Sequence, residues 1–144
     1  MAKPFTVIIP KTIDDSNFVS SSLSEVDYPN WDQSPNPQLS YNVGDRCIVT
    51  TGYHKIYEAI QPVTSTPNTT TPPHTLTTHW VEVGPTNRWA AFDTSGGTYS
   101  YSSGANIVFS FTVDRATSIA LVELTARSVR IQATAPGYPN YYDQ

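Results

Sequence analysis

The clearest periodicity in the chain lies in its last third. Ile107, Phe109, Phe111 and Val113 alternate with Ser110 and Thr112, and Val129, Ile131 and Ala133 alternate with Ser128, Arg130 and Gln132. Apolar and polar residues taking turns at period two mark strands with one buried face. Between these segments Ile119, Ala120, Leu121, Val122 and Leu124 form an apolar run, the pattern of a strand covered on both faces. With Asp114-Arg115-Ala116 and Thr125-Ala126 as tight connections, the three segments predict an antiparallel meander. Its cover is expected from the 1–40 arm, from the 86–101 segment or from a second subunit, because little chain follows Pro136.

Residues 41–84 carry shorter signals. Tyr41-Asn42-Val43-Gly44-Asp45 reads as a turn, Arg46 to Thr50 as a strand, Thr51-Gly52 as a hinge, and His54 to Ile60 as the returning strand. On that strand Tyr57 and Ala59 share one face, Ile56 and Ile60 the other. Trp80-Val81-Glu82-Val83 closes a small three-stranded hairpin module. The stretch from Gln61 to Thr78, almost entirely Thr, Pro, Ser and Asn, is predicted to be a surface loop.

Residues 1–40 show no sustained apolar face. Phe5, Val7 and Ile9 form one apolar run, Phe18 stands further on, and Pro29, Pro35 and Pro37 disfavour helix around them. Buried-type residues too few to build a core predict an extended N-terminal arm that docks Phe5, Val7, Ile9 and Phe18 on a neighbouring subunit.

Composition sharpens this picture. The chain has 144 residues with 12 Pro and only 14% charged residues, so short strands and turns are favoured over long helices. The predicted fold class is all-β: an extended arm (1–40), the hairpin module (41–84) and an antiparallel β-sandwich-like domain (85–144) completed by a partner. A net charge of −4, with eight Lys and Arg spread along the chain, argues against nucleic-acid binding. Cys47 is the single cysteine, so no intrachain disulfide can form, and no apolar run has the length of a signal peptide or membrane span. Folding in a reducing cytoplasm is expected.

Candidate chemistry is sparse. His54, His74 and His79 lack the closely paired cysteines of structural zinc sites, and no Gly-x-Ser-x-Gly elbow is present. Glu58 and Glu82, or Asp45 and Asp93, are carboxylate pairs without an enclosing scaffold. Neither a metal, a cofactor nor an enzymatic activity is predicted. The aromatic residues say more. Trp31, Tyr41, Tyr53, Tyr57, Trp80 and Trp89 gather around the hairpin in sequence; exposed, they could stack on sugars, and buried, they would form the core of a module poor in Leu and Val.

At these residues a family likeness emerges. Trp31, Tyr41, Val43-Gly44-Asp45, Tyr57-Glu58-Ala59 and Trp80 resemble, over about fifty residues, the order W…Y-x-x-G-D-x-V…Y-x-A…P…W of small chitin-binding-type carbohydrate-binding modules. With the following Gly84-Pro85-Thr86-Asn87-Arg88-Trp89-Ala90-Ala91-Phe92-Asp93, the chain resembles a group of tailed-bacteriophage virion proteins in which such a segment leads into a β-sandwich. The resemblance implies a non-enzymatic structural component of the virion tail or neck, made in the host cytoplasm and contacting other virion proteins and copies of itself. Its alternative is a glycan-binding module for a host surface polysaccharide, with Tyr53, Tyr57 and Trp80, and His54 beside them, as the platform. Asn87, Arg88, Trp89 and Asp93 are expected to form the joint between modules, with Arg88 paired to Asp93.

Overall fold

The computed structural model describes residues 10–31, 40–64, 70–114 and 118–143. The protein is all-β. Among the described residues its elements are β1 (Phe18–Ser21), β2 (Arg46–Val49), β3 (Lys55–Ala59), β4 (Trp80–Pro85), a 3-10 turn (Ala90–Phe92), β5 (Phe109–Phe111), β6 (Gln132–Ala135) and β7 (Tyr138–Asp143). No helix there is long and apolar enough to cross a membrane.

The hairpin module forms as its pattern predicts. Strands β2, β3 and β4 make one antiparallel sheet, with Cys47 opposite Tyr57 and Ala59 opposite Trp80. Because alternate residues of β3 point to opposite faces, Tyr57 and Ala59 turn inward together, against Cys47, Val49 and Trp80. A bulge in β4 sets Ile56 against Gly84 but Tyr57 against Glu82, leaving Val83 as the extra residue. This bend directs Gly84-Pro85 across the end of the sheet, where the Thr86 amide donates to the His54 carbonyl at 2.9 Å.

Two segments expected at the surface belong to this core. In the stretch 61–78, Val63 and Pro73 are fully buried and Leu76 packs against the cluster. Tyr41 and Val63 exchange backbone hydrogen bonds of 2.9 and 2.8 Å, which stitches that loop to the start of the module. Upstream, Asn30 bridges Ile48 in parallel, the Ile48 amide donates to the Pro29 carbonyl, and the Trp31 amide donates to the Ile48 carbonyl. Trp31 is thereby a core residue of its own chain.

The N-terminal segment therefore departs from the expected arm. Phe5, Val7 and Ile9 lie outside the described residues. Phe18, expected on a neighbour, sits in β1, which pairs antiparallel with β5 of the same chain. Its ring lies 4.7 Å from that of Trp89. The reason is a second aromatic cluster: Phe92 meets Phe109 edge-on at 5.0 Å and reaches Phe18 and Phe111 at 6.1 Å. Aromatic edges and faces attract, so the cluster gathers β1, β5 and the 3-10 turn.

The predicted meander does not form. β5 takes β1 as its partner, and β6 pairs with β7 around a turn in which Gly137 adopts φ 78°, a conformation glycine enters without penalty. The apolar run between them is not a strand, and Ile119, Leu121, Val122 and Leu124 stand exposed. A strand apolar on both faces needs a layer on each side, and the described residues supply neither.

Candidate functional site

The densest polar constellation lies where the N-terminal segment crosses the tip of the β2–β3 hairpin. From Ser21 to Asp27 half-buried and exposed residues alternate, so the segment, though bent, presents one set of side chains to the module. The inward residues include Leu23, Glu25 and Asp27, whereas Val26 points to solvent. On the hairpin side His54 occupies the left-handed region at φ 53°, uncommon outside glycine, which follows from its place at the end of the turn through Gly52 and Tyr53.

Three side chains converge on the Glu25 carboxylate. His54 Nδ1 lies 3.0 Å from Oε1 and 3.2 Å from Oε2, the Thr86 hydroxyl donates to Oε1 at 2.9 Å, and an Arg88 guanidinium nitrogen lies 3.9 Å from Oε2. The Glu25 side chain is only 7% exposed, so it depends on these partners. The other imidazole nitrogen, Nε2, meets Asp15 at 2.8 Å. Both contacts are hydrogen bonds when both ring nitrogens carry protons, the arrangement of an imidazolium held between two carboxylates. The ring also lies flat on Trp89, with centroids 4.0 Å apart and planes 19° from parallel.

The neighbouring residues of the joint are held just as closely. Arg88 Nε donates to the Leu23 carbonyl at 2.7 Å, and the Asn87 amide donates to Asp27 at 3.1 Å. The Asn87 side chain pairs twice with the Tyr101 backbone, at 2.9 and 2.8 Å. Asn87, Arg88 and Trp89 thus contact the N-terminal segment, Tyr101 and the hairpin tip, and the expected Arg88–Asp93 pair is not made. The 3-10 turn separates the two, Asp93 leaves it in an extended conformation, and its carboxylate accepts from the Thr98 hydroxyl at 3.3 Å.

The glycan platform is not assembled. Tyr57 and Trp80 are buried in the core, where Trp80 stacks edge-on against Tyr41 at 4.8 Å. Burial pushes the Tyr57 hydroxyl up to about 12, with the nearby Glu82 carboxylate adding to it. Tyr53 alone of the three is exposed, and its ring stacks on His74 at 3.9 Å. It borders an open cleft of about 430 Å³ that His54, Trp89, Phe92, Ile13 and Asp15 also line.

Of the remaining candidates, Cys47 is fully buried, and desolvation raises its thiol to about 12, which keeps it protonated and unreactive. Glu58 pairs with Arg46 at 2.7 Å and Glu82 with Lys55 at 3.0 Å. Among the described residues no group of three or more His, Cys, Asp or Glu is arranged to hold a metal ion. Each imidazole nitrogen of His54 faces a carboxylate, and the Thr86 hydroxyl donates to Glu25, so this network ties the N-terminal segment to the hairpin tip. Glu25 and Asp27 escape the sequence reading because the alternation at 21–27 is inverted, with the carboxylates inward and Val26 outward, while nothing near Asp15 in sequence points to His54. Comparison of the chain with family models, with curated proteins and with solved structures finds no match.

Proposed function

We propose that this protein is a non-enzymatic structural subunit of a tailed-phage particle, in the tail or neck, whose work is to be covered by other components. The observation that carries this reading is the apolar tract after β5: Ile119, Leu121, Val122 and Leu124 are 54%, 51%, 82% and 53% exposed in the single chain. A contiguous apolar surface of this kind on a soluble chain marks a place where another molecule sits. The clasped joint supports the same reading, because it fixes the N-terminal segment, the hairpin module and the Trp89 turn as one unit. The phage assignment itself rests on the resemblance carried by Trp31, Tyr41, Trp80 and the Gly84–Asp93 segment. The test is peptide mass spectrometry of purified particles from an infected host, together with electron microscopy of particles made without this chain. Presence in the particle and a missing or unstable tail or neck are expected; a chain absent from particles that assemble normally would reject the proposal.

A glycan-binding role, the other expectation, no longer has Tyr57 and Trp80 available to it. It would have to use the cleft bordered by Tyr53 and His54, and titration of tryptophan fluorescence with chitin oligomers and host polysaccharide would reveal it through Trp89.

A further inference from the structure

From Ser118 to Gly137 no residue is buried, and Ile131 alone is half-buried. Between Ser118 and Val129 no backbone group hydrogen-bonds to another described residue. This tract thus offers together apolar side chains and backbone groups that no described residue pairs. A lipid surface would cover the first but leave the second unsatisfied. An added polypeptide strand satisfies both, because its backbone completes a ladder while alternate side chains meet across it.

The sequence of the tract says which polypeptide. Laid antiparallel on a second copy about Thr125, it sets Ile119 against the partner's Ile131, Leu121 against the partner's Val129, and Glu123 against the partner's Arg127. Apolar residues meet apolar ones, and the two acidic and two basic residues pair in opposite charge. A two-fold interface must be self-complementary in this way. The same pairing within one chain would need a tight turn at Thr125-Ala126, which has none of the Gly, Asn or Asp residues that such turns demand, and the structure holds the tract open there. Glu123 has φ 54° in the single chain, a conformation rarely adopted by a non-glycine residue, and strand pairing would release it to the extended region.

We infer that two copies of this chain associate through an intermolecular antiparallel ribbon of residues 119–131, centred on Thr125. The ribbon's other face sets Leu124 against the partner's Ala126, Val122 against the partner's Ser128 and Ala120 against the partner's Arg130, so only its centre is apolar; cover of that centre by a further particle component is the one part of the inference that rests on the virion reading.

Residues directly opposite in an antiparallel pair have Cα atoms about 4.5–5.5 Å apart, within the span of a disulfide. In the full chain, Thr125→Cys should therefore give a disulfide-linked dimer under mild oxidation, while buried Cys47 stays silent. Sedimentation over a range of concentrations should show a dimer whose dissociation constant rises roughly tenfold or more in Glu123→Lys. Adding Arg127→Glu to that variant should restore it. All these side chains are exposed, so circular dichroism is expected to show each variant folded. A chain that stays monomeric at every concentration, a higher oligomer, or a dimer that neither crosslinks at residue 125 nor responds to the charge swap would overturn the inference. Particle composition reads the other proposal separately: a dimer absent from particles keeps the ribbon and rejects the virion role, and a monomer found in particles does the reverse.

Discussion

The imidazole of His54 lies against the indole of Trp89 with ring centroids 4.0 Å apart, while its two nitrogens face Glu25 and Asp15. One side chain thereby joins the hairpin tip, the turn after β4 and two points on the N-terminal segment. Replacing His54 by Ala removes the Nδ1 partner from a carboxylate that is nearly buried. The expected cost is about 1–3 kcal/mol, held down because Thr86 and Arg88 remain beside Glu25. Adding Glu25→Gln should cost less than the sum of the two single changes, as expected of residues in one network. Urea unfolding followed by tryptophan fluorescence measures all three.

Arg88 and Asp93 separate cleanly by substitution. Arg88→Lys keeps the charge but loses the Nε bond to the Leu23 carbonyl, so a loss of about 1–2 kcal/mol is expected. Asp93→Asn should stay within about 0.5 kcal/mol, because no ion pair with Arg88 is broken. An equal and large effect of both in thermal unfolding would restore the pairing that the structure lacks.

Trp31 belongs to the core of the hairpin module, so truncation of the first forty residues should not release a folded module. Trp31→Ala is expected to cost about 3–5 kcal/mol, as for other buried aromatic residues. A chain beginning at residue 41 should lose the dispersed amide spectrum of the module; if the spectrum persists, the tryptophan's packing is dispensable.

Alkaline pH should weaken the fold. The folded chain holds the Cys47 and Tyr57 protons up to about 12, against ordinary values of 9.0 and 10.0, with burial the leading cause for both. Raised folded values mean that the contribution is complete below the unfolded values and is lost as pH rises from about 9 to 12, at up to ~1.4 kcal/mol per pH unit for each group. Denaturant midpoints between pH 8 and 11 should fall accordingly, and Cys47→Ala should flatten the part beginning near pH 9. The same burial predicts slow reaction of Cys47 with thiol reagents until the chain unfolds.

Acid acts at the other end. Arg130 holds Asp143 in a two-point contact of 2.8 and 2.7 Å, which keeps that carboxyl below the usual range. A lowered folded value means that the contribution is present above the unfolded value of 3.8 and fades as pH falls through the folded one. Protection of the Ala133 amide, opposite Tyr142, measured against its intrinsic exchange rate at each pH, should therefore fall below about pH 4. Arg130→Gln should remove that pH dependence.

The all-β class and the hairpin module were legible in the sequence, because composition and a period of two act locally. Tyr57, Ala59 and Trp80 show how far that goes: their strands are plain from the pattern, yet whether the rings face a sugar or the core depends on which strand lies opposite. Val63 and Pro73 carry no local sign of burial inside a Thr- and Pro-rich loop. Likewise Phe18 offers no hint that its partners are Phe111 and Trp89, far along the chain.

By itself, then, the order of residues determined the all-β class, the hairpin module with its turn through Gly52, and that Ile119 to Leu124 needs cover. Only the tertiary structure decided that residues 10–31 return to their own chain, that Arg88 turns to Leu23 and Glu25, and that the apolar tract finds no cover there. The physical reason is range: backbone preferences and alternation are properties of neighbours, whereas burial of a carboxylate or pairing of a strand depends on residues sixty positions away.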